Sequence, residues 1–131
     1  MKARRATLPQ LARLMHRLRA PGGCPWDRAQ THRSLLRYLK EESAEVARAV
    51  RRGDHDNLKE ELGDVLLQVL FHAELAAEAG RFDIGDVMGV LREKLLRRHP
   101  HVFSRRKETL TPAEVHRRWK RIKAAEKAAK V

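Results

Sequence analysis

The chain has 131 residues, of which 42% are hydrophobic, 35% charged and only 5% aromatic. That length fits one domain with a core of its own, and a hydrophobic share made mostly of Leu, Ala and Val favours helices over strands. A single cysteine, Cys24, excludes an internal disulfide and suits the reducing cytoplasm. The longest uncharged run, about residues 65–73, is too short to cross a membrane.

The net charge of +12 is unevenly distributed. Residues 41–64 hold 8 of the 17 acidic residues and only 4 basic ones, so this window carries −4 and the rest of the chain +16. An acidic pocket within an otherwise basic chain suits a site that binds a cation and receives an anionic substrate. A simple nucleic-acid binder has no need of the acidic pocket, so nucleic acid is not the expected partner.

Apolar periodicity and capping signals predict a single all-α domain over residues 1–131, with residues 1–6 and 128–131 frayed. The five predicted helices are Thr7–Arg19, Thr31–Arg52, Asp54 or Asp56 to Ala79, Asp83 to just before His99-Pro100, and Thr111 to the C-terminus. The Gly- and Pro-rich segment 22–27 is expected to be irregular, and the loop 99–110 to be ordered in part.

The second and third predicted helices are connected tightly around Gly53, so they should form an antiparallel hairpin. The centre of the third helix, residues 65–71, is apolar nearly all round and should be buried. We therefore expect a helical-bundle core built from this hairpin and completed by oligomerisation.

Four carboxylates interrupt the apolar pattern of this hairpin, as two pairs spaced three residues apart: Glu42 with Glu45, and Glu61 with Asp64. Glu42 falls in the middle of an apolar stripe formed by Leu35, Leu39, Val46, Ala49 and Val50. A buried carboxylate is costly unless it protonates, pairs or holds a metal. The hairpin places the two pairs opposite each other, and hard oxygen ligands select Mg²⁺ or Mn²⁺.

A solvated helical face is the simpler explanation for any one of these residues, with ion pairs to Arg48, Arg52 or Lys59. It is weaker for the set, because like charges three residues apart repel unless something neutralises them. Gln68 and His72 continue the polar stripe of Glu61 and Asp64, and we expect them to be buried partners of the site or of each other.

The motif Glu41-Glu42-x-x-Glu45 followed by Glu61-x-x-Asp64 resembles the EExxE…ExxD signature of the all-α nucleoside triphosphate pyrophosphohydrolases. Three further strings resemble the MazG family: Gly23-Cys24-Pro25-Trp26-Asp27, Arg97-Arg98-His99-Pro100-His101-Val102-Phe103, and Trp119-x-x-Ile122-Lys123-x-x-Glu126-Lys127. The resemblance covers about residues 8–127.

This resemblance implies a Mg²⁺-dependent hydrolysis of nucleoside triphosphates to the monophosphate and pyrophosphate, in cleansing of the nucleotide pool. Glu42, Glu45, Glu61 and Asp64 match the family's Mg²⁺ ligands, with Mn²⁺ a plausible substitute. Glu41 matches the first glutamate of the motif, and three roles stay open for it: orienting the attacking water, deprotonating it, or holding a second metal.

Lys94, Arg98, Trp119 and Lys123 resemble the family's phosphate- and nucleotide-contacting positions. Arginine can grip phosphate through two nitrogens, lysine adds a point charge, and a Trp face can stack on a base. A solvated basic face and a core Trp are the alternatives from the residues alone. The resemblance also implies a homodimer or a dimer of dimers.

Two other functions stay open. A narrower member of the superfamily would act on dUTP, dCTP or phosphoribosyl-ATP, but the Cys-Pro-Trp-Asp and His-Pro-His-Val-Phe strings argue against it. A regulatory or nucleic-acid-binding helical module is motivated by the charge of +12, for example as the less active half of a tandem MazG, since many MazG proteins carry two such domains.

Overall fold

The computed structural model describes residues 2–130, and all regular secondary structure within them is helical. Its seven helices are α1 (Leu8–Arg19), α2 (Pro25–Ala29), α3 (His32–Arg52), α4 (His55–Glu78), α5 (Ile84–Arg98), α6 (Pro100–Phe103) and α7 (Pro112–Ala129). The all-α prediction is confirmed, and the five predicted helices are α1, α3, α4, α5 and α7. Among the ends predicted to fray, Met1 and Val131 lie outside the described residues, and α7 continues through Ala129.

The helix starts follow the capping signals in the sequence. The side chains of Thr7, Thr31 and Thr111 each accept a hydrogen bond from the backbone N–H three residues later. The backbone N–H of each threonine in turn donates to the side chain of that residue, which completes a capping box. Asp54 caps α4 in the simpler way, accepting from the backbone N–H of Asn57. Gly53 ends α3 with a positive φ of 65°, a conformation that costs glycine nothing.

The prediction that segment 22–27 is irregular holds for residues 22–24 and was wrong for residues 25–27, because α2 begins at Pro25. Proline at the first helical position is favourable, since that position needs no N–H donor and the ring presets φ. Just before α2, the backbone at Gly23 passes close to the end of α1. Only glycine fits there, because a Cβ at this position would lie 2.2 Å from the carbonyl oxygen of Leu18. The loop 99–110 was predicted to be ordered in part, and α6 is its ordered part, starting at Pro100.

The described chain forms two compact units, the first up to Gly85 and the second from Asp86. In the first unit, Met15 of α1, Leu35 of α3, and Leu70 and Phe71 of α4 form the buried core. The side chain of Arg19 is 10% exposed and binds Glu78 with nitrogen–oxygen distances of 2.9 and 2.8 Å, which ties the end of α1 to α4.

Helices α3 and α4 form the predicted antiparallel hairpin. His32 near the start of α3 contacts His72 late in α4, whereas Glu42 in the middle of α3 meets Glu61 early in α4. Two residues, Gly53 and Asp54, connect the helices. This pairing is what brings the carboxylates of the two helices together.

The centre of α4 is not buried all round, contrary to the prediction. Leu62, Leu66 and Val69 are 52%, 37% and 38% exposed, and their spacing of four and three residues places them on one face. The buried side of α4 carries Gln68, Leu70 and Phe71 instead. The hairpin therefore presents an open apolar face.

The second unit contains α6, α7 and most of α5. Its described ion pairs join Arg97 and Arg98 of α5 to Glu126 of α7, and Arg118 to Glu108. None of the described helices is both long and apolar enough to cross a membrane.

Candidate functional site

Three of the four predicted metal-binding carboxylates lie together in the α3–α4 hairpin. Glu42 comes from α3, and Glu61 and Asp64 come from adjacent turns of α4. One oxygen of each lies within 4.8 Å of one oxygen of the other two. Glu42 and Glu61 are half-buried and Asp64 is exposed, so the group lies at the surface of the hairpin, open to a ligand on one side.

Two of the three carboxylates, Glu42 and Glu61, have pKa values raised by their surroundings. Burial raises the pKa of Glu42 most, followed by the negative charge of Asp64 and a hydrogen bond with Glu61. The pKa of Glu61 is raised as well, again first by desolvation and then by Asp64. Excess negative charge with too little solvent to stabilise it is the condition under which a divalent cation binds well.

Glu45 and Glu41 lie outside this three-carboxylate group. Glu45 is one turn after Glu42 and forms a close ion pair with Arg48, three residues further along α3. Glu41 is exposed, and a carboxylate oxygen lies 4.0 Å from Nε of Arg37. To act as a fourth ligand beside the other three carboxylates, Glu45 needs a side-chain position other than the one seen here.

His72 has a partner that the sequence did not indicate. Its Nδ1 lies 2.7 Å from Nδ1 of His32, and the two rings stack with an interplanar angle of 6°. The expected pairing of His72 with Gln68 is not present, since Gln68 Oε1 and His72 Nε2 are buried without a hydrogen-bond partner. Burial and the neighbouring His32 lower the pKa of His72. No local sequence pattern marks His32, because its partner lies forty residues away.

In the second unit, two of the predicted substrate-binding cations contact the ring of Trp119. Lys123 Nζ is 4.5 Å from the centre of a Trp119 ring, and Arg98 Cζ is 5.7 Å from it. Both distances fit cation–π contacts. Lys94, one turn before Arg98 on α5, is half-buried. The structure thus brings Arg98, Trp119 and Lys123 together, and Trp119 is half-buried rather than a core anchor.

A cavity of about 480 Å³ adjoins Trp119 in the same unit. Its lining is mainly apolar and is formed by His99, Leu110, Pro112, Val115, His116 and Trp119. An apolar recess beside two cations is suited to a ligand with a flat ring at one end and negative charge at the other.

Glu126 is the residue of this group to which sequence reasoning assigned no role. It accepts hydrogen bonds from Arg97 Nε at 2.8 Å and from Arg98 Nη2 at 2.9 Å. The signal for it was present in the sequence, because Trp119, Lys123 and Glu126 are spaced four and three residues apart and so share one face of a helix.

Comparison with known proteins places these residues in a family. Residues 30–103 match the model of the MazG nucleotide pyrophosphohydrolase domain. The chain belongs to the MazG nucleotide pyrophosphohydrolase domain family. The matched region contains the three-carboxylate group and Arg98, whereas Trp119, Lys123 and Glu126 lie beyond it.

Individual MazG relatives agree with this assignment. The chain is 49% identical over 130 residues to the nucleoside triphosphate pyrophosphohydrolase/pyrophosphatase MazG of Thermotoga maritima, covering 99% of this chain and 49% of that protein. It is 46% identical over 124 residues to the nucleoside triphosphate pyrophosphohydrolase of Escherichia coli, covering 94% of this chain and 47% of that one. The chain thus spans about half the length of these relatives.

A solved structure of a mazG-related protein shows a similar fold. The crystal structure of a mazG-related protein from Thermotoga maritima superposes with a TM-score of 0.67 at 33% identity. The match covers 86% of this chain and 97% of that one.

Proposed function

We propose that this MazG domain is a Mg²⁺-dependent nucleoside triphosphate pyrophosphohydrolase, which converts NTPs or dNTPs and water into the monophosphate and pyrophosphate. The observation that carries the proposal is the group of three carboxylates, Glu42, Glu61 and Asp64, gathered within 4.8 Å from two helices. Family membership and the names of the relatives support the same reaction. The proposed role is removal of unwanted nucleotides from the pool.

Glu42, Glu61 and Asp64 are the proposed Mg²⁺ ligands, and Glu45 is the proposed fourth. Carboxylate oxygens are the ligands that Mg²⁺ and Mn²⁺ prefer, and no sulfur or imidazole belongs to the group. The raised pKa values of Glu42 and Glu61 reflect charge that a cation would neutralise. Glu45 joins the set when its carboxylate leaves Arg48, since it lies one turn from Glu42.

Lys94, Arg98, Trp119 and Lys123 are proposed to bind the nucleotide. The three cations attract the phosphates, and Arg98 offers a planar donor set that matches phosphate oxygens. Trp119 and the apolar cavity beside it offer a surface on which a base can stack. Binding of this kind fixes the substrate for attack.

In the proposed reaction, water attacks the α-phosphorus of the nucleotide. The bond from this phosphorus to the α–β bridging oxygen breaks, and pyrophosphate leaves. A bound Mg²⁺ supplies stabilisation of the charge that develops on the phosphoryl oxygens. Glu41 is proposed to act on the attacking water as its proton acceptor or orienting group, or as ligand to a second metal.

A homodimer, or a dimer of dimers, is the proposed assembly. The exposed apolar face of α4, with Leu62, Leu66 and Val69, supports this assembly. Contiguous apolar surface of this kind commonly marks a protein–protein contact.

A catalytically weak regulatory or nucleic-acid-binding module is the second candidate. Residues 86–131 hold 14 of the 29 Lys and Arg but 5 of the 17 Asp and Glu, so this part carries +9 of the net +12. Binding of that kind would fall steeply with salt and would survive loss of the acidic group.

Pyrophosphate release from a panel of NTPs and dNTPs, with Mg²⁺ and with EDTA, tests the proposal. We expect release of pyrophosphate with the matching monophosphate, in Mg²⁺ only. Asp64→Asn should lower kcat/KM by about 100-fold or more, because removal of a ligand weakens both the metal and its charge stabilisation.

Asp56→Asn is the matched control, since it removes the same charge from a fully exposed position on the same helix. It should retain wild-type activity. Equal activity of Asp64→Asn and wild type, or turnover in EDTA, would contradict the metal site. A folded protein without pyrophosphate release on any substrate would favour the regulatory module.

A further inference from the structure

Glu126 is placed where two arginines of α5 converge. Arg97 Nε donates to its carboxylate at 2.8 Å, and Arg98 donates through Nε at 3.2 Å and Nη2 at 2.9 Å. The side chains of Arg98 and Glu126 are each only 17% exposed. The hydrogen bonds from Arg98 and then Arg97 lower the pKa of Glu126 to about 2. The carboxylate is therefore charged at any pH at which the protein works.

The guanidinium of Arg98 is held at two places by α7. Glu126 binds it through two parallel hydrogen bonds, and the ring of Trp119 lies 5.7 Å from its central carbon. The bonds to Glu126 use Nε and Nη2, so Nη1 takes no part in them. A free arginine samples many rotamers, and one held at two points has lost most of that freedom before a ligand binds.

We propose that Glu126 is a positioning residue that holds the Arg98 guanidinium in the orientation in which it binds the phosphate oxygens of the substrate. This role rests on the proposed function, in which Arg98 contacts the nucleotide. Glu126 acts through Arg98 and makes no contact with phosphate, since two anionic groups repel. The preformed pair lowers the ordering cost of substrate binding.

If Glu126 positions Arg98, its loss should weaken the binding of an anion. Net charge alone predicts stronger binding. Loss of Glu126 makes its surroundings more positive, which would tighten the binding of an anion. Salt reduces this gain in anion binding, because charges are screened over about 8 Å at physiological ionic strength. Salt does not reduce the benefit of holding the planar guanidinium in the right orientation. The sign of the change in anion binding therefore separates positioning from simple charge.

Inorganic tripolyphosphate is the probe, because its binding can be measured by calorimetry without turnover. Wild type is compared with Glu126→Gln, Glu126→Asp and the control Glu108→Gln. Glu108 also pairs with an arginine of α7, Arg118, and its loss changes net charge equally. Far-UV circular dichroism checks that each variant is folded, and steady-state kinetics with one NTP give KM and kcat.

Glu126→Gln should weaken tripolyphosphate binding and raise KM, each by about tenfold, with kcat within about threefold of wild type. Glu126→Asp keeps the charge and should lie closer to wild type. Glu108→Gln should stay within about twofold, as an exposed surface pair does. In an Arg98→Ala background, Glu126→Gln should have no further effect, because the two residues act as one unit.

Tighter or unchanged tripolyphosphate binding by Glu126→Gln would overturn the positioning role, and so would additive effects of the Glu126 and Arg98 substitutions. A wild type that hydrolyses no NTP, but whose tripolyphosphate binding still weakens through Glu126 and Arg98 together, would refute the proposed function and support the positioning role.

Discussion

Glu42 is a half-buried carboxylate that faces two further carboxylates across the hairpin, and its environment favours the protonated form. Its pKa is raised above the ordinary 4.5, by burial first and by Asp64 next. Such a group lowers the stability of the fold as pH rises from the ordinary pKa of 4.5 to the raised folded-state pKa, because in that window the folded state keeps a proton that the unfolded state has released. Above the raised pKa the full cost remains. At neutral pH without a cation, the site therefore weakens the fold.

Glu42→Gln should raise the Tm of the metal-free protein by a few degrees at pH 7 to 8, and by less near pH 4, where the wild-type residue is protonated. Mg²⁺ should raise the Tm of wild type through binding to the folded state, and should do so much less in the variant, whose Mg²⁺ affinity falls by about tenfold or more. Thermal unfolding followed by circular dichroism, in EDTA and in Mg²⁺, measures both effects.

The exposed Asp56→Asn is again the control and should behave as wild type in both conditions. An unchanged Tm of Glu42→Gln in EDTA would show that the Glu42 charge does not destabilise the metal-free protein. A full response of this variant to Mg²⁺ would show that Glu42 does not bind the metal.

At this scale, sequence reasoning found residues whose role depends on their own helix or on the adjoining one. Glu42, Glu61 and Asp64 follow from helical spacing and a short connection between α3 and α4, and the structure gathers them. His32 and its contact with His72 could not be predicted, because that contact depends on the exact depth and rotation of two packed helices. Glu45 was on the predicted face, yet a neighbour within reach, Arg48, pairs with it instead.

The α3–α4 hairpin contains, in the His32–His72 pair, an element that depends on pH. An Nδ1–Nδ1 hydrogen bond needs one protonated nitrogen and one bare nitrogen, so at least one ring must be neutral. Burial and His32 lower the folded-state pKa of His72 below the ordinary 6.5. Between those two values the unfolded chain binds more protons, so stability rises with pH in that window and falls as the medium becomes acidic.

Chemical denaturation at pH 7 and pH 5 should therefore show a larger loss of unfolding free energy in wild type than in His72→Gln. The comparison between the two proteins isolates the histidine, because the carboxylates titrate equally in both. His55→Gln, an exposed histidine at the start of α4, should keep the wild-type pH dependence. Parallel pH profiles for wild type and His72→Gln would remove the pair as a source of acid sensitivity.

The elements themselves were predictable where capping chemistry decides them. Thr7, Thr31, Asp54 and Thr111 mark four starts within one residue, because the side chain that satisfies a free backbone N–H is local. The short helices α2 and α6 were missed, because Pro25 and Pro100 suggest irregular structure in the sequence, whereas proline also favours the first position of a helix. Periodicity cannot reveal a helix of one turn.

At the scale of the whole molecule, the open apolar face of α4 is the feature that one chain alone does not explain. Sequence reasoning treated the centre of this helix as buried, since its composition is that of a core segment. Leu62, Leu66 and Val69 nevertheless remain between 37% and 52% exposed. The core-like composition and the exposure agree if a second copy of the chain covers this face. The composition then reflects burial in the assembly, whereas the exposure is that of a single chain.

Leu66→Glu should then convert a dimer into a monomer, because a charge in the centre of an apolar interface is desolvated without a partner. Size-exclusion chromatography with light scattering measures the mass, and circular dichroism confirms the helical content. Leu14→Glu, at a 61% exposed leucine of α1, is the matched control and should remain dimeric. A monomeric wild type, or a Leu66→Glu protein that stays dimeric, would place the dimer interface elsewhere or remove it, and the exposure of α4 would then need another explanation.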